Sequence, residues 1–318
     1  MRVAALAGGT GAAKLLRGLA ACVPGDALTI VGNTGDDAEI WGLHVSPDLD
    51  TVAYALAGRL DVARGWGLAG DTFRCLEAMA GLGAETWFNL GDRDLATHLH
   101  RTRLLRAGVP LSGVTRDLAR RLGVAARLLP MSDDRVRTRV RTPGPGGDRW
   151  LDFQEYFVRD KALVEALEVV YEGAGSARPA PGVLDAIAGA DAVVVCPSNP
   201  VTSVGPILAV PGVAEALGAT AAPVVAVSPI VGGAPVSGPA GRLMQARGLP
   251  VSPAGVAAAY APWLTALLVD TRDASCAPEL GALGVACVPA DVVMTDRASE
   301  VALARRVLEA AATAGRRR

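Results

Sequence analysis

A glycine-rich loop with one lysine is the first candidate for chemistry in this sequence of 318 residues. Gly8-Gly9-Thr10-Gly11 follows a short apolar run at 3–7, which predicts a strand, and Lys14 lies shortly after the loop. Glycines after a strand let the backbone approach a phosphate, and the start of the following helix favours negative charge. The loop matches neither GxGxxG nor a Walker A motif, so a plain tight turn is the alternative. We predict that this loop binds a phosphate or a nucleotide.

A cluster of acidic residues follows the second apolar run. It consists of Asn33, Asp36, Asp37, Asp48 and Asp50. Ligands of parallel sheets bind at the carboxyl ends of the strands, and carboxylates placed there suit Mg²⁺, which takes a few protein oxygens plus substrate phosphates. Asp and Asn also cap helices and turns, and Asp50 could simply open a helix. The cluster therefore predicts a magnesium site, with capping as the alternative.

Three further polar segments are candidates for ligand contacts. Gly91-Asp92-Arg93-Asp94 opens a helical pattern, where an Asp N-cap with a surface salt bridge is the alternative. The loops that start at Ser198-Asn199 and at Ser228 are rigid, hydroxyl-rich and nearly uncharged, so they could cradle a base, a ribose or a diphosphate. Ordinary strand-to-helix loops would look the same. His98 and His100 lack the spacing of a metal pair on one helix face, and we identify neither a Ser-His-Asp nor a Cys-His arrangement.

The elements that must position these residues alternate as in a parallel α/β protein. The chain begins strand, glycine turn, helix, strand, which is the unit of parallel sheets. Continuous apolar runs at 192–196 and 224–227 indicate strands covered on both faces, and 125–129, 264–269 and 285–288 are further strand candidates. We predict a Rossmann-like α/β core, residues 1–50 and 124–318, with a helical insertion subdomain at 51–123.

Two smaller predictions complete the architecture. The segments 136–142 and 149–153 flank a PGPGG turn and predict a β-hairpin. Apolar periodicity over 297–314 predicts an amphipathic helix, after which Arg316 to Arg318 are expected to be a solvated end.

Composition excludes several classes of function. Thirty-one basic residues balance 32 acidic ones, so a net charge of -1 gives no general attraction to nucleic acid or to anionic membranes. Aromatic residues make up 4%, which leaves few platforms for stacking single-stranded bases. The first residues lack the pattern of a signal peptide, and prolines interrupt the long stretch at 192–241, whose one charged residue is Glu215. We expect a cytoplasmic protein whose five scattered cysteines are buried thiols.

Taken in order, the polar segments resemble one family, the 2-phospho-L-lactate transferases of coenzyme F-420 biosynthesis. The resemblance extends over nearly the whole chain and is carried by these stretches: GGTG with Lys14, NTGDD, SPDLDT, RGWG with DTF, LGDRDLATH, LPMSDD, FQEYF, CPSNPVTSVGPI and SPIVGGAPVSGPAG. A related family with a similar glycine start, which binds nucleotide-sugars and acts as a non-catalytic regulator, is the alternative. SPDLDT and GDRDLATH argue against it. A dinucleotide oxidoreductase is disfavoured because GxGxxG is absent.

The resemblance implies a reaction. The family transfers a phospholactyl or phosphoenolpyruvyl group from a donor linked to guanosine diphosphate to the terminal ribityl hydroxyl of the deazaflavin FO. GMP leaves as a phosphodiester forms. Mg²⁺ as cofactor, a helical subdomain and a homodimer are also implied. Partners are thus small molecules, with no nucleic acid and no membrane. The sequence leaves open which of the two donors is used, although its arginine-rich composition hints at phosphoenolpyruvate.

The resemblance also implies roles for individual residues. Asp50 is the expected catalytic residue and, with Asp36, a metal ligand. Substrate contacts are expected from Asp50, Arg93, Asp36 and Asp48. The diphosphate and guanosine would be bound by a set from two loops: Gly9, Thr10, Gly11 and Lys14, then Ser198 and Asn199. The hydroxyl would attack phosphorus in line, and its proton would pass to a carboxylate such as Asp50 or to water.

Overall fold

The computed structural model describes residues 1–315, so the predicted solvated tail, Arg316 to Arg318, lies outside the described residues. Within this range the strands are β1 (Val3–Ala7), β2 (Leu28–Gly32), β3 (Ala38–Ile40), β4 (Leu43–Val45), β5 (Arg127–Pro130), β6 (Arg137–Thr142), β7 (Arg149–Asp152), β8 (Glu168–Glu172), β9 (Ala192–Val195), β10 (Val224–Val227), β11 (Ile230–Val231), β12 (Ala234–Pro235), β13 (Ala266–Asp270) and β14 (Ala286–Ala290).

The α-helices of the same range are α1 (Gly9–Cys22), α2 (Pro47–Leu56), α3 (Arg74–Gly81), α4 (Asp94–Arg106), α5 (Leu111–Leu122), α6 (Val183–Ala188), α7 (Gly205–Leu208), α8 (Val213–Ala219), α9 (Ala240–Ala246), α10 (Pro253–Tyr260), α11 (Ala277–Ala282) and α12 (Arg297–Ala314). Short 3-10 turns lie at Gly25–Ala27, Ala174–Ser176 and Thr271–Cys276, and single π-turns lie at Glu155–Arg159 and Pro200–Val204.

A seven-stranded sheet in the order β14-β13-β10-β9-β1-β2-β5 forms the centre of the molecule, and every neighbouring pair in it is parallel. The prediction of a Rossmann-like, mainly parallel α/β core is confirmed. The chain builds outward from β1 through β2 to β5, then returns to β9 on the other side of β1. Ligands of such sheets bind outside the strand ends at this reversal, between β1 and β9.

Helices cover both faces of the sheet. All five residues of β1 are buried, and they alternate between two hydrophobic cores. Helices α1, α2, α5 and α12 pack with Val3, Ala5 and Ala7, whereas α6 to α11 pack with Ala4 and Leu6 on the opposite face. Burial on both faces explains why the strands are continuously apolar. This burial also fixes the positions of the strand ends, and therefore the positions of the loops that carry the polar residues.

The predicted insertion at 51–123 contains α3, α4, α5 and most of α2. Helix α2 begins at Pro47, ahead of the predicted boundary, and its residues Leu49, Val52 and Ala53 belong to the same core as α1. Proline at the first helical position is compatible with this start, because its missing N–H would have no partner there. The hairpin of β3 and β4, which comes just before α2, was not predicted. The division into a core and a subdomain stays a prediction.

A small antiparallel sheet lies beside the main one. Strands β6 and β7 form the predicted hairpin, which is confirmed, and β8 adds a third strand that was not predicted. Among the cysteines, Cys196 and Cys276 are buried and Cys22 and Cys287 are half-buried, but Cys75 is exposed. The expectation of five buried thiols is therefore wrong for Cys75, which lies in the first turn of α3, a helix that buries none of its residues.

No single helix among residues 1–315 is long and apolar enough to cross a membrane. One bent pair of helical segments, Pro200–Leu208 and Val213–Ala219, meets the length and composition test only when the two are taken together across an angle of 84°.

Candidate active site

A cleft of about 710 Å³ opens where the strand order reverses. The glycine loop after β1, the acidic segment after β2 and the loop after β9 all line it. The structure thus brings together every residue of the predicted site except Arg93: Gly9, Thr10, Gly11, Lys14, Asp36, Asp48, Asp50, Ser198 and Asn199. The loop after β10 also reaches the cleft, from Ser228 and from 236–240.

The glycine loop is bound tightly to its neighbours. Gly9 has a φ of 74°, which favours glycine, and a Cβ on Gly11 would lie 2.4 Å from the carbonyl oxygen of Pro197. The Gly9 N–H donates to Asp48 Oδ1 at 2.8 Å, and the Gly8 N–H donates to Ser198 Oγ at 3.3 Å. The Gly8 contact joins the loop after β1 to the loop after β9, and the Gly9 contact joins it to α2. The first turn of α1 lies at the cleft.

Lys14 and Asn199 each make one contact that holds a loop. Lys14 Nζ donates to the carbonyl oxygen of Met294 at 3.0 Å, and both residues line the cleft. An ammonium carries three donors, so two remain for an anion in the cleft. Asn199 Oδ1 accepts the N–H of Val201 at 2.9 Å and caps the π-turn Pro200–Val204. Its predicted contact with guanosine would come in addition to this structural role.

Asp48 and Asp36 are buried carboxyl groups with raised proton affinity. Burial raises the pKa of Asp48 to about 6, although hydrogen bonds from Asn33 and Gly9 oppose the shift. Burial and the charge of Asp48 together raise the pKa of Asp36 well above its ordinary value. Asp36 Oδ1 is buried and has no hydrogen-bond partner. A cation between these carboxyl groups would remove the cost of their charge.

Asp50 lies in the first turn of α2 and is bound by a buried arginine of α4. Arg101 Nη2 donates to Asp50 Oδ1, and the Arg101 side chain is 2% exposed. Asp50 Oδ2 is buried without a hydrogen-bond partner and lies 3.7 Å from His98 Nδ1. One oxygen of Asp50 is thus engaged by the protein, whereas the other is unused.

The same network continues along α4. Arg101 Nη1 also donates to His98 Nδ1 at 3.1 Å, which places the proton of a neutral His98 on Nε2, 3.4 Å from Asp94 Oδ2. Tyr54 donates its hydroxyl proton to Asp94 Oδ1 at 2.6 Å, and burial raises the pKa of Tyr54. Helices α2 and α4 are therefore joined by polar contacts next to the cleft.

The donor set can be tested against a magnesium ion. Among residues 1–315, no group of three or more His, Cys, Asp or Glu side chains is arranged to hold a metal by itself. The buried oxygens Asp36 Oδ1 and Asp50 Oδ2 lack hydrogen-bond partners, however, and both residues line the cleft. Mg²⁺ usually takes one or two carboxylates and completes its shell with water and substrate phosphates. The residues present fit such an ion.

Aromatic side chains are concentrated at the cleft. The whole chain has only 13 of them, five Trp, four Tyr and four Phe, yet five line this one cavity: Tyr54, Trp66, Phe88, Phe153 and Phe157. Phe153 and Phe157 stack at 5.5 Å with their planes 10° apart, and the guanidinium of Arg64 lies 5.3 Å from the centroid of Trp66. The sequence patterns did not single out these side chains as a ligand surface, although RGWG and FQEYF include three of them.

Arg93 is the one predicted site residue that the structure does not bring to the cleft. Its guanidinium donates to the carbonyl oxygen of Ala69 and lies 3.7 Å from Asp71, and its side chain is 59% exposed. Asp92 Oδ1 accepts the N–H of Cys75 at 2.9 Å at the start of α3. Asp92 therefore serves α3 and not α4, the helix that the capping alternative had in view: the N-cap position of α4 is Arg93, which makes no side-chain capping bond. Substrate contact by Arg93 stays a prediction.

Comparisons with known proteins agree on one group of enzymes. The family model for 2-phospho-L-lactate transferase CofD matches residues 3–303. A phosphoenolpyruvate transferase from Streptomyces griseus is 49% identical over 313 residues, covering 98% of both chains. A 2-phospho-L-lactate transferase from Methanococcoides burtonii is 40% identical over 287 residues, covering 90% of this chain and 92% of the relative.

Solved structures share the fold at lower identity. A UPF0052 family protein from Bacillus halodurans has a TM-score of 0.62 and 19% identity, with 96% of this chain and 98% of that chain covered. This similarity supports the architecture over nearly the whole length of both chains.

Proposed function

Because the chain belongs to the 2-phospho-L-lactate transferase CofD family and is a transferase, we propose the following specific reaction. A phosphoenolpyruvyl group passes from a donor linked to guanosine diphosphate to the terminal ribityl hydroxyl of the deazaflavin FO. A phosphodiester forms, the bond to the guanosine-bearing phosphate breaks, and GMP leaves. This reaction belongs to coenzyme F-420 biosynthesis.

One observation carries the proposal: a single cleft is lined both by the glycine-rich loop with Lys14 and by a wall of aromatic side chains. The first turn of α1 and Lys14 offer N–H groups and positive charge for a diphosphate. Phe153, Phe157 and Trp66 offer flat apolar surface for a fused-ring acceptor. A protein that bound only a nucleotide-sugar would need the glycine-rich loop for the diphosphate. It would not need an aromatic wall for a fused-ring acceptor.

The chain's own residues can position both reactants. Loop N–H groups and Lys14 hold the donor phosphates, and the loops at Ser198 and Ser228 accommodate the guanosine. The acceptor hydroxyl attacks the phosphorus distal to guanosine, and its proton passes to Asp50 Oδ2, which has no hydrogen-bond partner among the described residues. When held by Asp36, Mg²⁺ would neutralise charge on the phosphate oxygens.

Phosphoenolpyruvate is the donor group that we propose, because the relatives with that name are 46–50% identical to this chain. A relative named for phospholactate, from Methanococcoides burtonii, is 40% identical. A homodimer and a cytoplasmic location also belong to the proposal. Light scattering of the purified protein tests the dimer, and fractionation of the producing cell tests the location.

The first experiment is a fluorescence titration of the purified protein with FO, with and without GDP and Mg²⁺. Saturable binding is expected, after which the two guanylyl donors are compared side by side by the release of GMP. Faster turnover of the phosphoenolpyruvyl donor supports the proposal. Tight binding of a nucleotide-sugar, with no binding of FO under any condition, would contradict it and favour a regulator.

Asp50→Asn gives a second test of the same proposal. Turnover should fall strongly. The thermal unfolding temperature should also fall, because asparagine keeps the shape of the side chain but leaves the buried Arg101 guanidinium without its counter-charge, so turnover is compared well below the unfolding transition. An active Asp50→Asn variant would remove Asp50 from the reaction. A matched control is Asp133→Asn, since Asp133 accepts hydrogen bonds from Ser112 outside the cleft lining.

A further inference from the structure

Asp50 is held from one side only. Arg101 Nη2 donates to its Oδ1, and its Oδ2 is buried without a hydrogen-bond partner at the wall of the cleft. Without the arginine, the carboxyl group could rotate about its terminal torsion, which has a broad energy profile. The orientation of the unused oxygen therefore depends on a residue that is not itself part of the cleft lining.

Arg101 is fixed by more than Asp50. Its Nη1 donates to His98 Nδ1 at 3.1 Å and to the carbonyl oxygen of His44 at 3.3 Å. The guanidinium is 2% exposed, and Arg101 is the largest fully buried side chain among the described residues. A planar guanidinium presents its donors at set angles, so acceptors on both Nη groups fix the position of the whole fork.

We propose that Arg101 is a positioning residue for the transfer reaction, acting through Asp50. It holds Oδ1 so that Oδ2 stays directed toward ligands in the cleft, and it does so from α4 across to α2. This inference rests on the proposed function, because it assigns Arg101 to the step in which Asp50 takes part.

Arginine and lysine at position 101 would differ in geometry, because only a guanidinium presents two Nη groups at a fixed spacing. Lysine would keep a positive charge, but its ammonium is a point charge on a flexible stem and cannot match the fixed spacing of the two Nη groups. If the positive charge alone mattered, lysine would suffice. If the geometry matters, Arg101→Lys should fold but leave Asp50 free to turn.

The main experiment compares Arg101→Lys with the parent enzyme by GMP release at saturating FO and donor. We expect kcat to fall about 100-fold, the cost typical of a small misplacement of a reacting group. The Kd for GDP should stay within about twofold, because the glycine loop lies on a different element and distant sites behave independently. A kcat equal to that of the parent enzyme would overturn the proposal.

A double-mutant cycle shows whether Arg101 acts through Asp50. In the Asp50→Asn background, adding Arg101→Lys should change kcat by less than about threefold, since coupled residues are not additive. If the two losses multiply instead, Arg101 affects the reaction by another route and the proposal is wrong. Both variants with asparagine at position 50 leave the buried positive charge at position 101 without its carboxylate partner, so every kcat in the cycle is measured below the lowest unfolding temperature of the set.

A matched control separates catalysis from general stability. Arg17 of α1 forms an ion pair with Glu300 of α12, with side chains 17% and 1% exposed, and this pair is not part of the cleft lining. Arg17→Lys should lower the unfolding temperature while kcat stays within about twofold. An equal loss of kcat in both lysine variants would show that only stability is being measured, and would overturn the proposal. A parent protein inactive with both donors would instead refute the proposed function.

Discussion

Replacing Asp48 with asparagine should change how the stability of the protein depends on pH. Burial raises the pKa of Asp48 from 3.8 to about 6, so the folded state binds this proton more tightly than the unfolded chain does. The resulting stabilisation is fully present below pH 3.8 and is lost as the pH rises through about 6. Asp48→Asn cannot titrate and therefore does not show this loss.

The magnitude follows from the two proton affinities. A pKa that rises from 3.8 to about 6 corresponds to roughly 3 kcal/mol of folding free energy, of which about 2 kcal/mol lies between pH 4.5 and 7.5. Asparagine has one acceptor oxygen for the two donors Gly9 N and Asn33 Nδ2, and one unsatisfied donor costs about 1–3 kcal/mol. That cost is independent of pH and shifts the whole curve.

The assay is urea unfolding at several pH values between 4.5 and 7.5, with a chelator present so that no divalent cation binds the carboxyl groups. Relative to the parent protein, Asp48→Asn should gain about 2 kcal/mol of unfolding free energy across this range. The same substitution removes the charge of Asp48 from beside Asp36. The pKa of Asp36 therefore moves back toward its ordinary value, which changes the pH dependence of stability in the same direction. A difference that does not vary with pH would refute the reasoning.

Asp270→Asn gives a control of opposite sign. The hydrogen bond from Arg272 holds the pKa of Asp270 below its ordinary value, so this carboxylate stabilises the fold above its unfolded pKa and loses that effect as the pH falls. Relative to the parent protein, the Asp270→Asn variant should lose stability as the pH rises toward neutrality.

Three more substitutions test separate parts of the cleft. Gly11→Ala places a Cβ 2.4 Å from the carbonyl oxygen of Pro197, so stability should fall by about 2 kcal/mol in urea unfolding and the Kd for GDP should rise. Lys14→Met removes a charged donor from the cleft and should weaken GDP binding about tenfold, with a smaller salt dependence, in calorimetric titrations. Trp66→Leu should raise the Kd for FO about tenfold in fluorescence titrations while the Kd for GDP is unchanged. Equal changes for both ligands in Trp66→Leu would contradict a separate acceptor wall.

The parallel core was predictable because its signals are local. The strand at Val3–Ala7 and the helix at Arg297–Ala314 were predicted at the bounds that the structure has. A strand buried on both faces is continuously apolar, and a helix buried along one stripe is apolar at helical spacing, so both leave a clear pattern in the sequence. Positions at strand ends follow from parallel topology, which is why the loops at Gly9, Asp36 and Ser198 were expected to converge.

Other parts depend on contacts that the sequence does not show. Nothing in the order of residues indicates that Arg101 reaches Asp50, because the partners are 51 positions apart and on different helices. The three-residue strands β3 and β4 are too short for a periodic signal. Arg93 was expected at the site because the resemblance to the family includes its GDRD motif, and only the fold shows its guanidinium on a loop carbonyl.

The pairing of α1 with α12 has a consequence for synthesis of the chain. Helix α1 follows the glycine loop, yet it packs in one core with α12 and is joined to it by Arg17 and Glu300, which lie 283 positions apart. A ribosome makes about 5–20 residues per second, so at least ten seconds or so pass between the synthesis of α1 and that of α12, which packs on it. During that interval Leu15, Leu16 and Leu19 lack part of their native contacts. A nascent chain stalled before α12 should therefore engage chaperones that bind apolar helices and release them once α12 has emerged.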